Sequence, residues 1–570
     1  MINKKIAKIF KEIAEYLEME DVQFKPQAYR KAAFLIDNLD QNLNEIYQEG
    51  GEKALKGLSG IGESIADKII EYIKTGKIEY YEKYKKKVPI EFDELTSVEG
   101  IGPKTVKKLW KELDIKDLES LEKAAKDKKI RELDGFGEKS EKNILEGIEF
   151  VKSSKGRFLL GDILPVVEEV KEKLKNLEQV KKVDVCGSVR RKKATIGDID
   201  FLVLTDNPEP VMEFFVSMPN VVKVWGKGKT KSSIRTEQDF DIDLRVIPKK
   251  SYGAALQYFT GSKDHNIKTR KIAINKRLKL SEYGVFKKEK RIAGKTEKEV
   301  YNAIGLPFIE PELRTDSGEI KAAKEDKLPK LVKLEDIKGD LHLHSNWNGG
   351  DNSIEEIAKA AKELGYNYIG ISDHTKTLKI ENGLNEKQLE EQRKEIKKLN
   401  KKLKGITILQ GAETNILKDG SIDIKDNALK KLDYAIAGIH SHFKMREKEM
   451  TERIIKAMSN PNINIISHPT GRILKRRDQY KIDLDKLFKF AKKTNTVLEI
   501  DSFKKRLDLK DVNIRKAKEA GVKMVIDSDA HNIIHLKYME LGVFQARRGW
   551  AEKKDIVNTL SLKKLVKLFK

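Results

Sequence analysis

The sequence predicts a multidomain chain, α+β in its first part and α/β in its last. Three observations carry that reading. Within residues 1–155, three Gly-hydrophobic-Gly turns, Gly60-Ile61-Gly62, Gly100-Ile101-Gly102 and Gly135-Phe136-Gly137, each lead into a helix start. Near residue 190, Gly187-Ser188, Arg190-Arg191 and Asp198-Ile199-Asp200 follow one another between strand-like runs. After residue 340, about seven short apolar runs alternate with helical stretches, and eight of the nine histidines lie there, just behind such runs. At 570 residues the chain is too long for one core and implies about three to five domains.

Residues 1–85 read as amphipathic helices, with Ile6, Ile9, Phe10, Ile13 and Leu17 at helical spacing. Residues 86–155 read as a second helical segment around Leu109, Trp110, Leu113, Ile144 and Ile148. In each Gly-x-Gly turn the paired glycines permit a tight hairpin. Its backbone N–H groups and the following helix N-terminus can hold one phosphate. A single turn of this kind looks the same as an ordinary helix–helix connection. Three of them resemble helix-hairpin-helix motifs, which grip the DNA backbone without reading sequence. That resemblance puts Gly60, Gly62, Gly100, Gly102 and Lys104 on DNA.

The stretch Val183–Leu204 organises the middle of the chain. It starts as a strand, turns at Gly187-Ser188 and enters a second strand at Asp198. Residues two apart on a strand share a face, so Asp198 and Asp200 project together while Ile199 and Phe201 pack behind. Paired carboxylates suit Mg²⁺, which takes oxygen ligands plus substrate phosphates. Gly187 admits a phosphate close to the backbone, Ser188 can donate a hydrogen bond, and Arg190 and Arg191 add charge. Residues of these types in this order point to nucleotidyl transfer. Two-metal in-line transfer asks for a further carboxylate on a neighbouring strand. Asp239–Ile247 reads as such a strand, and alternation cannot separate its candidates Asp241 and Asp243.

These motifs, with Ile242-Asp243-Leu244-Arg245, resemble the palm of the family X DNA polymerases, here at residues 156–247. The resemblance selects Asp243 beside Asp198 and Asp200 as catalytic Mg²⁺ ligands, and leaves Asp241 without a role. It sets Gly187, Ser188 and Arg191 at the incoming triphosphate. Tyr258-Phe-Thr-Gly-Ser262, with Asn266 and Arg270, resembles the family's small α/β, thumb-like nucleotide-selecting subdomain, here 248–314. By it Tyr258, Phe259 and Gly261 face the sugar, Asn266 meets the base, and Arg270 touches the template side. The first helical domain resembles the family's lyase-like domain. There Lys25, Tyr29 and Arg30 hold a 5′-phosphate and Lys68 is the Schiff-base nucleophile for 5′-deoxyribose phosphate. Such an amine needs a depressed pKa, which Lys25, Arg30 and Lys31 are expected to supply by crowding. Ser64 stands where the family carries an additional lysine. Residues 315–338, polar and aperiodic, read as a linker.

Residues 339–570 differ in kind. Asp340-Leu-His342-Leu-His344, Asp373-His374, Glu413, His440-Ser-His442, His468, Glu499-Ile-Asp501 and Asp527-Ser-Asp529-Ala-His531 each follow an apolar run. Helical stretches such as Ser353–Leu364 and Gln388–Leu403 alternate with them, the pattern of a (βα) barrel, which builds its sites at the C-terminal ends of its strands. Histidines with carboxylates at one barrel mouth argue for metals, with Zn²⁺ or Mn²⁺ the fitting ions. This half resembles the polymerase-and-histidinol-phosphatase (PHP) domain, a distorted seven-stranded barrel that hydrolyses phosphoesters. Its motifs make His342, His344, His374, Glu413, His440, His468, Asp529 and His531 the ligands, with His442 behind them and His265 and His535 unassigned. PHP domains commonly carry an aspartate where this chain has Gly349. Asp351, two residues on, either swings in to replace it or lies in the cap region of the next helix, with Asn352 or Ser353.

Lys and Arg number 115 against 91 Asp and Glu, a net charge of +24 that favours a polyanionic partner. The lone Cys186 excludes an internal disulfide framework and fits a reducing compartment. Neither a signal peptide nor a membrane-spanning run is evident, so a soluble intracellular protein is expected. The resemblance to bacterial and archaeal family X enzymes implies a monomer in the prokaryotic cytoplasm, at the nucleoid. The two resemblances together imply a gap-filling DNA repair polymerase whose barrel processes 3′ ends by metal-dependent 3′–5′ hydrolysis, with cleavage at abasic sites a further implied activity. Gapped or nicked duplex DNA and deoxynucleoside triphosphates are its implied partners, and base excision repair its setting. A tRNA or RNA-tailing nucleotidyltransferase shares the Gly-Ser and Asp-x-Asp motifs but not the hairpin repeats or Tyr-Phe-Thr-Gly-Ser. A non-enzymatic DNA-end scaffold would need a broken carboxylate triad.

Overall fold

The computed structural model describes residues 2–569 except 38, 40, 59–60, 99, 154–155 and 379–381. The chain divides into two compact units, 1–155 with 475–478, and 156–474 with 479–570. No helix among the described residues is long and apolar enough to cross a membrane.

The first unit is built of helices. Helix Ile2–Met19 buries Ile6, Phe10, Ile13 and Leu17 along one stripe, with Ile9 at its edge. Helices Lys25–Asp37, Glu63–Thr75 and Pro103–Leu113 pack into the same cluster, joined by Val106, Leu109, Ile144 and Ile148. Gly62 and Gly102 are the N-caps of the second and third of these, as the hairpin reading expects. Gly60 lies outside the described residues.

In the second unit a five-stranded sheet runs in the order Lys182–Val185, Ile199–Leu204, Asp241–Ile247, Lys231–Thr236, Val221–Lys227. Its central pair, Ile199–Leu204 and Asp241–Ile247, is parallel and the other pairs are antiparallel. Ile199, Phe201 and Val203 point into the core against helix Leu160–Lys175. Two local expectations are corrected. The turn at Gly187-Ser188 is a single helical turn, Gly187–Arg190, and the second strand begins at Ile199, so Asp198 sits just ahead of it.

Helices Tyr252–Thr260 and Lys263–Asn275, a three-stranded antiparallel sheet and helix Glu297–Ala303 form the α/β subdomain. Residues 315–338 are folded rather than a linker. Helix Glu319–Lys324 buries Glu319, Ile320 and Ala323, while Val332 and Ile337 enter the barrel core and Leu331 pairs with Glu552.

The barrel strands are all parallel. Gly339–Leu343, Tyr368–Ile371 and Thr407–Gln410 form one sheet, and Glu413–Asn415, Ile436–Gly438, Ile465–Ile466, Val497–Asp501 and Met524–Asp527 another. Thr407–Gln410 and Glu413–Asn415 are one strand broken at Gly411-Ala412, which gives seven barrel strands among the described residues. A bridge between His374 and Glu413 joins the two sheets, and one between Leu343 and Ala530 closes the ring.

Candidate active sites

Parallel register sets Asp200 directly beside Asp243, with Asp198 one step before the strand. Gly187 makes room for this: its φ is +56°, and a Cβ there would lie 2.2 Å from Asp200 Oδ2. The absence of a Cβ thus admits the Asp200 carboxylate. Burial, then the charges of Asp198 and Asp243, push the Asp200 carboxyl up to about 7. Lys231 Nζ stands 2.7 Å from Asp243 Oδ2. Three carboxylates crowded in this way are the oxygen donor set that a divalent cation takes. Asp241 is occupied otherwise. It accepts two hydrogen bonds from Arg235, at 2.9 and 2.7 Å, and one from Trp225 Nε1 at 2.9 Å.

A titration follows from Asp200. An unfolded aspartate titrates near ~3.9, so between about pH 4 and pH 7 the metal-free native state holds one more proton than the unfolded chain. Stability therefore falls as pH rises through that window. Asp200→Asn removes the penalty, and in EDTA-treated protein it is expected to raise Tm by a few degrees at pH 8 and not at pH 4. Scanning calorimetry checks this. An equal shift at both pH values would contradict it.

One cleft of about 450 Å³ is lined by Gly187, Ser188, Arg191, Asp198, Asp200, Tyr258, Phe259, Gly261, Asn266 and Arg270, together with Arg157, Lys193, Gly197 and Lys263. All eight residues expected at the nucleotide thus share one cavity with two of the carboxylates. Ser188 Oγ and Arg191 Nε are buried without a hydrogen-bond partner among the described residues, polar atoms left for a ligand. Arg191 also donates to Thr260 O, and burial, then the neighbouring Arg548, lower its pKa to about 10. Arg190 turns away from the cleft. It pairs with Glu297 at 2.5 Å and donates to Thr260 Oγ1 at 2.6 Å, so its charge serves the fold. Asn266 is held by Gln257 Nε2 at 2.8 Å and itself donates to Tyr258 O at 2.7 Å. Arg157 and Lys193 are cations of the cleft that sequence reasoning missed; Lys193 continues the run Arg190-Arg191-Lys192, whose register alone does not say which members face in.

At the barrel mouth Glu413 is the hub. His374 Nδ1 lies 2.8 Å and His342 Nε2 3.2 Å from its Oε2, and His468 Nε2 3.0 Å and His440 Nε2 3.2 Å from its Oε1. Asp529 Oδ1 faces His344 Nε2 at 3.2 Å and His531 Nδ1 at 3.7 Å. Three overlapping ligand sets result: His344, His374 and His531; His342, His344 and Asp529; His374, Glu413 and His440. Buried nitrogens of His344 and His468 have no hydrogen-bond partner among the described residues. Orphaned imidazoles facing carboxylates fit divalent metals.

Glu499 was expected at a strand end of the barrel mouth but was not among the ligands that the resemblance implies. It holds His342 Nδ1 at 2.6 Å and accepts from the His468 backbone N–H at 2.5 Å, fixing the ring orientation of a ligand. One expectation is corrected, and of the two alternatives for Asp351 the structure favours the cap region. His442 is exposed rather than behind the ligands. The Asp351 carboxylate accepts from Asn532 at 3.1 Å and joins none of the ligand sets, and Ser353 is the N-cap of helix Ile354–Glu363. Gly349 has a φ of +62°. His265 is buried in the α/β subdomain between Glu319 and Tyr301, and His535 stacks on Tyr538.

In the first unit, Lys68 Nζ donates to Ser64 O and Oγ at 3.1 and 3.2 Å and lies 5.2 Å from the centre of the Tyr80 ring. Tyr29, itself buried, stacks on Tyr80. Burial holds the Lys68 pKa below the usual lysine range, with a smaller contribution from Lys25. Arg30 is neutralised by Glu18 and Glu15, so desolvation replaces the cation crowding expected there. Gly100 has a φ of +86°. Lys104 pairs with Asp21 at 3.0 Å.

Comparison with known proteins adds the following. The family described as DNA polymerase beta palm matches residues 162–225, and DNA polymerase beta thumb matches 255–315. A helix-hairpin-helix domain matches 1–78, a SAM-like helix-hairpin-helix tandem 92–149, and the PHP domain 340–502. The chain is 40% identical to the "DNA polymerase/3'-5' exonuclease PolX" of Bacillus subtilis (strain 168), over 99% of this chain and 98% of that protein. A probable phosphatase of Thermoanaerobacter sp. (strain X514) is 33% identical over 34% of this chain and 78% of its own length. A probable phosphatase of Syntrophotalea carbinolica is 30% identical over 29% of this chain and 65% of its own length.

Proposed function

The chain belongs to the family X DNA polymerases that carry a C-terminal PHP domain, and from that premise we infer a two-headed repair enzyme that fills short gaps in DNA and trims 3′ ends. The observation that carries the synthetic half is the pairing of Asp200 with Asp243, beside Asp198, in a cleft that also presents Ser188 and Arg191. In this reading the three aspartates bind Mg²⁺. Ser188 and Arg191 hold the triphosphate, Tyr258, Phe259 and Gly261 pack against the sugar, and Asn266 and Arg270 meet base and template. Divalent ions, when bound, ease deprotonation of the primer 3′-OH and neutralise charge on the leaving pyrophosphate. The test is incorporation of each deoxynucleotide opposite each template base on a gapped duplex. Selective incorporation of the complementary nucleotide is expected, whereas untemplated tailing of single-stranded RNA would favour the rival transferase.

The barrel reading rests on Glu413 and Asp529 drawing six histidines around them. His342, His344, His374, His440, His468 and His531 with the two acids hold Mn²⁺ or Zn²⁺, and Glu499 orients His342. Such ions, when bound, would activate a water for phosphodiester hydrolysis. The hairpin glycines Gly62, Gly100 and Gly102, with Lys104, grip backbone phosphates of gapped or nicked duplex, and the chain acts as a monomer in the cytoplasm.

A lyase activity is favoured by the desolvated amine of Lys68 beside Lys25, Tyr29 and Arg30. Borohydride is expected to trap the protein on a 5′-deoxyribose-phosphate end, with half-maximal trapping below the pH at which an ordinary lysine deprotonates. Undiminished trapping in Lys68→Ala would remove Lys68 from that role.

A further inference from the structure

Helix Met539–Arg548, which follows the last barrel strand, serves two cores. Met539, Val543 and Ala546 recur at helical spacing and belong to the barrel core. Leu541 and Phe544, on a second stripe that continues to Arg548, pack against the palm cluster of Leu160, Ile163 and Val189. At the end of that stripe Arg548 is nearly enclosed, its side chain 6% exposed. It donates through Nη1 to the backbone carbonyl of Arg191 at 2.8 Å and is fixed from behind by the Asp511 carboxylate. One turn earlier the Phe544 ring takes the Lys192 ammonium at 4.0 Å. Lys192 has a φ of +53°, a left-handed conformation that is unfavourable for a non-glycine residue and persists where its surroundings enforce it. The turn that carries Ser188 and Arg191 into the nucleotide cleft is thus braced from its far side by the barrel.

We propose that Arg548 and Phe544 are positioning residues for DNA synthesis, through which the barrel domain holds the triphosphate-binding turn of the palm in register. The proposal rests on Arg191 being a triphosphate ligand. The carbonyl at Arg191 ends the short helix Gly187–Arg190, where backbone acceptors lack helical partners, and the guanidinium of Arg548 supplies one. Without that bond the backbone from which Arg191 projects loses its fixed position, and small misplacements of a binding group are costly in polar sites.

The test uses the full chain on gapped DNA, with Arg548→Ala, Arg548→Lys, Arg191→Ala and the double alanine variant. Arg548→Ala is expected to raise KM for the incoming nucleotide about tenfold with a smaller change in kcat. Arg548→Lys, which keeps one donor, recovers part of the loss, and hydrolysis of 3′ ends by the barrel stays at its original rate. In the double variant the Arg548 effect disappears, because both substitutions act on one group. If Arg191→Ala raises KM and Arg548→Ala does not, the coupling is wrong while the triphosphate reading stands. If Arg191→Ala leaves KM unchanged, the triphosphate reading fails and takes the coupling with it. Additive effects, or parallel loss of barrel hydrolysis, would make the helix a general support and overturn the proposal. Should Arg548→Ala not fold, Asp511→Asn releases the guanidinium more gently and is expected to raise KM in the same direction; an unchanged KM there would also overturn it.

Discussion

Asp243→Ala is expected to lower gap-filling synthesis by about a thousandfold or more, the scale set by losing one charge-stabilising group in phosphoryl transfer. Binding of gapped DNA stays intact, because the helical unit and the basic surfaces are untouched. Asp241→Asn is the control two residues away on the same strand face. Asp241 is spent on Arg235 and Trp225 and points no carboxylate at Asp200, so its variant keeps kcat within about threefold of the original. Single-turnover incorporation with fluorescence anisotropy for DNA binding separates the two. Equal losses from both variants would show that the pairing of Asp200 with Asp243 does not define the site.

The second large effect is expected at Glu413. Its two oxygens face four histidines, His342, His374, His440 and His468, at 2.8 to 3.2 Å. Removing it leaves buried imidazoles without the anion that makes cation binding there favourable. Glu413→Ala is expected to lower the metal content by at least one ion per chain and 3′-end hydrolysis by about a hundredfold or more, beyond the effect typical of a supporting group alone. Gap filling continues. His442→Ala, at an exposed position, changes neither quantity. Metal analysis by mass spectrometry, with the nuclease assay alongside, checks both variants; full metal retention in Glu413→Ala would contradict the hub.

Much of this was legible in the sequence because the chemistry is dense along the chain. Gly187-Ser188, Arg191 and Asp198-x-Asp200 lie within 14 consecutive positions and all reach one cleft. The barrel histidines announce their strands because each follows an apolar run. What stayed hidden depends on partners distant in sequence. Alternation gave Asp241 and Asp243 the same face; the register against Asp200 and the bonds Asp241 makes to Arg235 and Trp225 separate them physically. Arg190 and Arg191 are adjacent letters, yet one helical turn sends the first to Glu297 and the second into the cleft. Residues 315–338 lack periodicity because single anchors, Val332 and Ile337, tie the segment down rather than a continuous face. Glu499 stands at a legible strand end but its partner His342 lies 157 residues away, and Asp351 is claimed by Asn532 from 181 residues away.

The central claim, two opposed activities in one chain, is tested most directly by idle turnover. The protein is given a gapped duplex and only the next complementary deoxynucleoside triphosphate, and release of the corresponding monophosphate is measured. Addition at the palm followed by removal at the barrel predicts steady, DNA-dependent monophosphate formation. It vanishes in Asp243→Ala for want of addition, and in Glu413→Ala for want of removal, while the latter still extends the primer. Monophosphate release that persists undiminished in Glu413→Ala would contradict the account.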